Sequence, residues 1–150
     1  MRPIPDLSAL EGFAGNCADA VGSDPAVVHL TGPLGVGKTT FVRFWLAHLG
    51  LRDTVRSPSF TLLECYDHGD LKIVHTDLFR LRGARELENL GLRDCVGEAL
   101  LFIEWPERGE WATPPADLHC AFAYADHGRR VAVTTPCLSY AHALGLSQAD

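Results

Sequence analysis

The sequence predicts an α/β domain of three layers, with a mixed, mostly parallel central sheet plus antiparallel hairpins. Three observations carry that expectation. A short β-branched segment, "AVVHL" (Ala26 to Leu30), runs through a glycine-rich turn straight into an amphipathic stretch. A second segment, "ALLFIEW" (Ala99 to Trp105), apolar except for Glu104, stops at Pro106, and such apolar runs belong to strands buried on both faces. Two further stretches alternate in polarity around Asp-His-Gly turns, as hairpins do.

Element by element, Leu7, Leu10, Ala14, Cys17, Ala18 and Val21 recur at helical spacing. Ser8 followed by Glu11 has the form of a capping box, so a first helix is expected to start there and to end near Gly22. The strand "AVVHL" follows, then the glycine-rich turn, then a helix from Lys38 to His48 with Gly50 as its C-terminal stop. "FTLLECY" and "LKIVHTD" flank "DHGD", predicting a hairpin that joins Phe60 to Tyr66 with Leu71 to Thr76. "ARELENLGL" reads as a short helix closed by Gly91. After the apolar strand and a polar, proline-containing loop, "DLHCAFAYADHGRRVAVTT" forms the second hairpin. From Pro136 the pattern weakens, and the tail is expected to be loosely ordered.

Length and composition restrict what such a chain does. At 150 residues and 16.4 kDa it has room for a single domain spanning residues 1–150. No apolar run approaches the ~20 residues needed to span a bilayer. "MRPIPDLSALEG" lacks the apolar core of a signal peptide, so the cytoplasm is the expected compartment, with no membrane partner. Five scattered cysteines without a C-x-x-C pair argue against both a disulfide framework and a zinc site. The seven histidines form no H-x-x-x-H pattern. A net charge of −6 repels a phosphate backbone, so any approach to RNA is expected to run through a partner protein.

The chemistry concentrates in the glycine-rich turn. Gly32 to Thr39, "GPLGVGKT", fits G-x-x-x-x-G-K-[ST], the P-loop pattern. Several backbone N–H groups must converge on one polyphosphate, and glycines keep side chains out of their way. A helix starting at Lys38 adds its positive N-terminal end. Lys38, one of only two lysines in the chain, is expected to reach the β- and γ-phosphates, and the Thr39 hydroxyl to ligate Mg²⁺.

A Mg²⁺·nucleotide site also needs a carboxylate, usually at the carboxyl end of a neighbouring buried strand. Glu104 closes "LLFIE" and Asp77 closes "LKIVHTD". Glu104, after four apolar residues, is the better metal-side acid; Asp77 completes the metal shell or positions water, and either is a candidate catalytic acid or base. "RSPSFT" (Arg56 to Thr61) places hydroxyls, including Ser59 and Thr61, where a switch segment senses γ-phosphate or metal. The competing reading is a plain loop entering a strand.

Other P-loop classes fare less well. Guanine recognition needs an N-K-x-D element, and neither asparagine, Asn16 or Asn89, fits one. Asp94 to Gly97 matches D-x-x-G, a four-residue pattern that arises cheaply. A stand-alone small-molecule kinase remains the alternative, with Arg80, Arg82 and Arg85 as lid arginines.

"LTGPLGVGKTTFVR", "SPSFTLLECY", "HTDLFRL", "ELENLGLRD" and "FIEWPERG" occur in an order and spacing that resembles the TsaE family of bacterial ATPases. The resemblance implies a compact P-loop NTPase-like domain that binds ATP with Mg²⁺ and hydrolyses it slowly. It implies a role in threonylcarbamoyladenosine modification of tRNA, beside the anticodon, in partnership with TsaD and TsaB, with tRNA contacted indirectly through that complex. It places the phosphate cradle on Gly35, Val36, Gly37, Lys38, Thr39 and Thr40, magnesium on Thr39 and Glu104, a further acidic role on Asp77, a stacking or packing role on Trp105, and nucleotide contacts on Ser59, Thr61 and Arg129. Pro33 and Phe79 depart from the aspartate and tyrosine usual in the family. Pro33 removes one N–H near the start of the loop and Phe79 one hydroxyl.

Overall fold

The computed structural model describes residues 1–52 and 62–146. In chain order these hold strand β1 (Arg2–Ile4), helix α1 (Leu7–Val21), strand β2 (Ala26–Thr31), helix α2 (Lys38–His48), strands β3 (Leu63–His68) and β4 (Leu71–Asp77) and helix α3 (Ala84–Asn89). Strand β5 (Ala99–Glu104), strands β6 (Leu118–Tyr124) and β7 (Arg129–Thr134) and helix α4 (Leu138–Ala143) complete them. Short 3₁₀ turns, Leu92–Cys95 and Pro106–Ala112, flank β5.

The strands form one sheet in the order β1-β7-β6-β2-β5-β4-β3. Its centre is parallel: β2 pairs with β5 and with β6, and β4 with β5. The outer pairings β1 with β7, β6 with β7, and β3 with β4 are antiparallel. This is the mixed, mostly parallel sheet with attached hairpins that the sequence predicts.

All six residues of β5 are buried, because both faces of the sheet are covered. Val28, Leu30, Leu100 and Phe102 pack beneath α1 and α2 with Phe13, Phe41 and Trp45. The rings form a continuous chain, Phe13 to Phe41 at 5.4 Å, Phe41 to Trp45 at 5.7 Å and Trp45 to Phe102 at 5.1 Å between centroids. Val27, Leu101 and Ile103 face the other way, against Leu87 of α3 and Leu92 and Ala112 of the 3₁₀ turns. Alternation along β2 and β5 therefore supplies two cores from one sheet.

Several local expectations need correction. The cap of α1 is Asp6, whose extended backbone lets its carboxylate accept from the Ala9 N–H at 2.8 Å; Ser8 lies inside the helix and caps nothing. Strand β1 is not apparent in the sequence pattern, since three residues with Pro3 in the middle make a weak signal; the sheet edge tolerates that proline. After Pro136 the chain forms α4, whose Ala141 is buried and whose following residue Leu144 joins the core under α1 and α2. Trp105 does not continue β5 but turns into the left-handed region at φ 57, ahead of Pro106. Phe60, Thr61 and the whole switch-like segment Arg56 to Thr61, with Ser59, lie outside the described residues.

Candidate functional site

The register of the central sheet builds the site. Leu30 of β2 and Asp77 of β4 both stand opposite Glu104, the last residue of β5. Two backbone bonds carry the alignment past the strand ends, from Leu78 N–H to Glu104 C=O at 3.0 Å and from Trp105 N–H to Leu30 C=O at 3.1 Å. The carboxyl edge of a parallel sheet, where the connections change direction, is the place an α/β fold offers a ligand.

The glycine-rich turn leaves β2 at this edge and enters α2 at Lys38. Gly37, at φ 112, is the last residue before the helix and carries no side-chain cap, so the N–H groups of the first turn are open to a ligand. Val36 is fully buried and anchors the loop in the core. From the β6–β7 hairpin the Tyr124 hydroxyl donates to the Leu34 carbonyl at 2.8 Å, and the Arg129 guanidinium lies against Gly37. The resemblance assigned Arg129; Tyr124, exposed at the end of β6, is one the sequence did not mark.

Lys38 is almost completely enclosed. Its ammonium donates to Gly32 O at 2.7 Å and Pro33 O at 3.0 Å and lies 4.2 Å from the Trp105 ring centroid. Burial draws the amine below the ordinary lysine value, and the carboxylates of Glu104, Asp77 and Glu107 pull it back up. Pro33 thus serves the loop with its carbonyl, which also accepts from the Val36 N–H at 3.3 Å.

Thr39 donates its hydroxyl to Glu104 Oε1 at 2.8 Å, so two residues assigned to one metal from 65 positions apart do meet. His75, also fully buried, reaches the same Oε1 through Nε2 at 2.8 Å. His75 belongs to no motif in the sequence; its position two residues before Asp77 on a central strand is the available signal. Asp77 accepts from the Phe79 N–H at 2.9 Å. Burial pushes its carboxyl above the usual aspartate value, the Phe79 N–H opposes that, and the charge of Glu104 adds to it. Phe79, lacking the family's hydroxyl, keeps its ring 5.0 Å from Trp105, and Arg108 stacks over both.

Leu34, Gly35, Gly37, Lys38, Thr39, Thr40, Asp77, Glu104 and Trp105 line one cleft of about 150 Å³. A larger hollow of about 400 Å³ lies elsewhere, between α1 and the end of α4. It carries none of the residues the motif singles out. Arg80, Arg82 and Arg85 are exposed and are not among the cleft's described lining residues; neither is any residue of Asp94 to Gly97. Among the described residues, no group of three or more His, Cys, Asp and Glu is placed to hold a metal alone, and no helix is long and apolar enough to cross a membrane.

Strand, glycine-rich loop, helix and facing acids define a P-loop-like α/β domain. A solved structure of Bacillus subtilus YdiB superposes with a TM-score of 0.74 over 97% of this chain and 90% of that one, at 26% identity. A family model described as "Threonylcarbamoyl adenosine biosynthesis protein TsaE" matches residues 4–132, and the chain belongs to that family. It is 40% identical over 106 residues to the tRNA threonylcarbamoyladenosine biosynthesis protein TsaE of Haemophilus influenzae, covering 70% of this chain and 67% of that one. The corresponding protein of Treponema pallidum is 42% identical over 84 residues, 55% of this chain and 62% of its own length. None of these similarities favours the small-molecule kinase.

Proposed function

We propose that this chain binds Mg²⁺·ATP in the cleft at the start of α2 and hydrolyses it slowly, as an accessory ATPase of threonylcarbamoyladenosine modification acting on TsaD- and TsaB-type partners. tRNA is then met through that complex. The observation that carries the reading is the Thr39–Glu104 bond beside the enclosed Lys38, at the carboxyl edge of the parallel strands.

The donor set fits the ion. Mg²⁺ takes hard oxygen ligands and commonly uses one or two carboxylates together with substrate phosphates and water. Thr39, Glu104 and Asp77 offer a hydroxyl and two carboxylates on one cleft. When bound, the ion supplies charge neutralisation for the phosphate oxygens. The chain's own part is to hold and orient. The N–H groups of Gly35 to Thr40 cradle phosphate, and Lys38 exchanges the carbonyls of Gly32 and Pro33 for phosphate oxygens as charge develops. Glu104, whose Oε1 already accepts two bonds, suits the metal side through its other carboxylate oxygen; Asp77, with its raised pKa, suits the water side and accepts the water's proton. Trp105 and Phe79 shield the cleft on that flank.

Purified variants test this directly. Lys38→Ala is expected to abolish ATP affinity in calorimetry. Glu104→Ala is expected to retain nucleotide binding and stop phosphate release; normal hydrolysis by that variant refutes the metal assignment.

A further inference from the structure

His75 is a fully buried polar side chain that the reaction outlined above does not use. It lies on β4 with no exposed surface, in register with Phe102 and with its ring edge-on to that residue at 6.5 Å. An imidazole in such surroundings costs free energy unless its nitrogens are bonded. Only Nε2 is: it faces Glu104 Oε1 at 2.8 Å, while Nδ1 is buried with no partner among the described residues. A carboxylate oxygen accepts, so the proton of that bond sits on Nε2. A leucine would fill the same space without an orphaned nitrogen.

Glu104 is held from two sides. Thr39, from α2, and His75, from β4, converge on one oxygen of its carboxylate, and no described residue bonds Oε2. Two donors from different elements fix the rotation of the carboxylate about its own axis. We propose that His75 is a positioning residue: its Nε2–H pins Glu104 Oε1 so that Oε2 is presented to the divalent cation that accompanies the nucleotide. This rests on the Mg²⁺·ATP reading and adds to it how the metal-side oxygen is selected. Donors that orient a ligating carboxylate without touching the metal are commonly worth about 10–100-fold in metal affinity.

Calorimetry with ADP, in the presence and absence of Mg²⁺, separates the two claims. In the wild-type chain Mg²⁺ is expected to tighten ADP binding. His75→Leu is expected to keep magnesium-free affinity within about twofold while losing about 10–100-fold of magnesium-dependent affinity. His75→Gln, whose amide is a donor of similar reach, is expected to restore most of that loss. Full magnesium-dependent affinity in His75→Leu overturns the positioning role and leaves the Mg²⁺·ATP reading standing. A wild-type chain that binds no ADP, or gains nothing from Mg²⁺, overturns the underlying reading. Should His75→Leu fail to fold, the wild-type chain still decides. A long-range ¹H–¹⁵N spectrum is expected to show His75 protonated on Nε2 and shifting more with Mg²⁺·ADP than with ADP alone; protonation on Nδ1 alone, or equal shifts, overturns the proposal.

Discussion

Gly32 and Gly37 bracket the loop, and what surrounds each differs. A Cβ on Gly32, at φ 132, meets the backbone carbonyl of Phe122 on β6, which cannot move without breaking the sheet. A Cβ on Gly37, at φ 112, meets the Arg129 guanidinium 2.6 Å away, the far end of a flexible side chain. Gly37→Ala is therefore expected to cost about 1–2 kcal/mol, mainly backbone strain, and Gly32→Ala more, as read from urea denaturation midpoints. Asp77 makes a second prediction. Its pKa is raised in the folded state, so between the ordinary aspartate value of 3.8 and the folded value the native chain binds more protons than the unfolded one. Stability then falls as pH rises through that window, and the penalty persists above it. Asp77→Asn, which keeps an oxygen for the Phe79 N–H, is expected to be more stable than the parent at pH 7 and to lose that advantage below the ordinary aspartate value. Lys38 and Thr39 were legible at this scale because a linear motif specifies them. His75 was not, because its importance comes from the register of β4 on β5.

The cap of α1 is the simplest test among the elements. Asp6 has the extended backbone and the 2.8 Å bond to Ala9 N–H, so Asp6→Ala is expected to lower stability by about 1 kcal/mol and Ser8→Ala to change it little. Reversal of that order, measured by thermal or denaturant unfolding, restores the capping box read from the sequence. Both residues are good caps by type; the backbone decides, and it is not visible in the residue pattern. Strand β5 was legible because a run of six buried residues needs no partner information to be recognised. β1 and α4 were not, since three and six residues hold their conformation through neighbours: β1 through its pairing with β7, α4 through Ala141 and the adjoining Leu144 beneath α1.

For the whole molecule, the parallel centre brings three chain segments to one edge, and from that edge the proposed nucleotide site is assembled. With a net charge of −6, the isolated chain is expected to show no salt-dependent retardation of tRNA in a gel shift, and retardation only when the partner complex is added. Strong binding of tRNA by the chain alone contradicts the accessory role. The central claim is that the turn before α2 holds a polyphosphate against Lys38. Calorimetric titration of a non-hydrolysable ATP analogue with Mg²⁺ tests it most directly. Saturable one-site binding in the wild type, lost in Lys38→Ala, is the predicted result; no heat at saturating analogue, or equal affinity in Lys38→Ala, contradicts it.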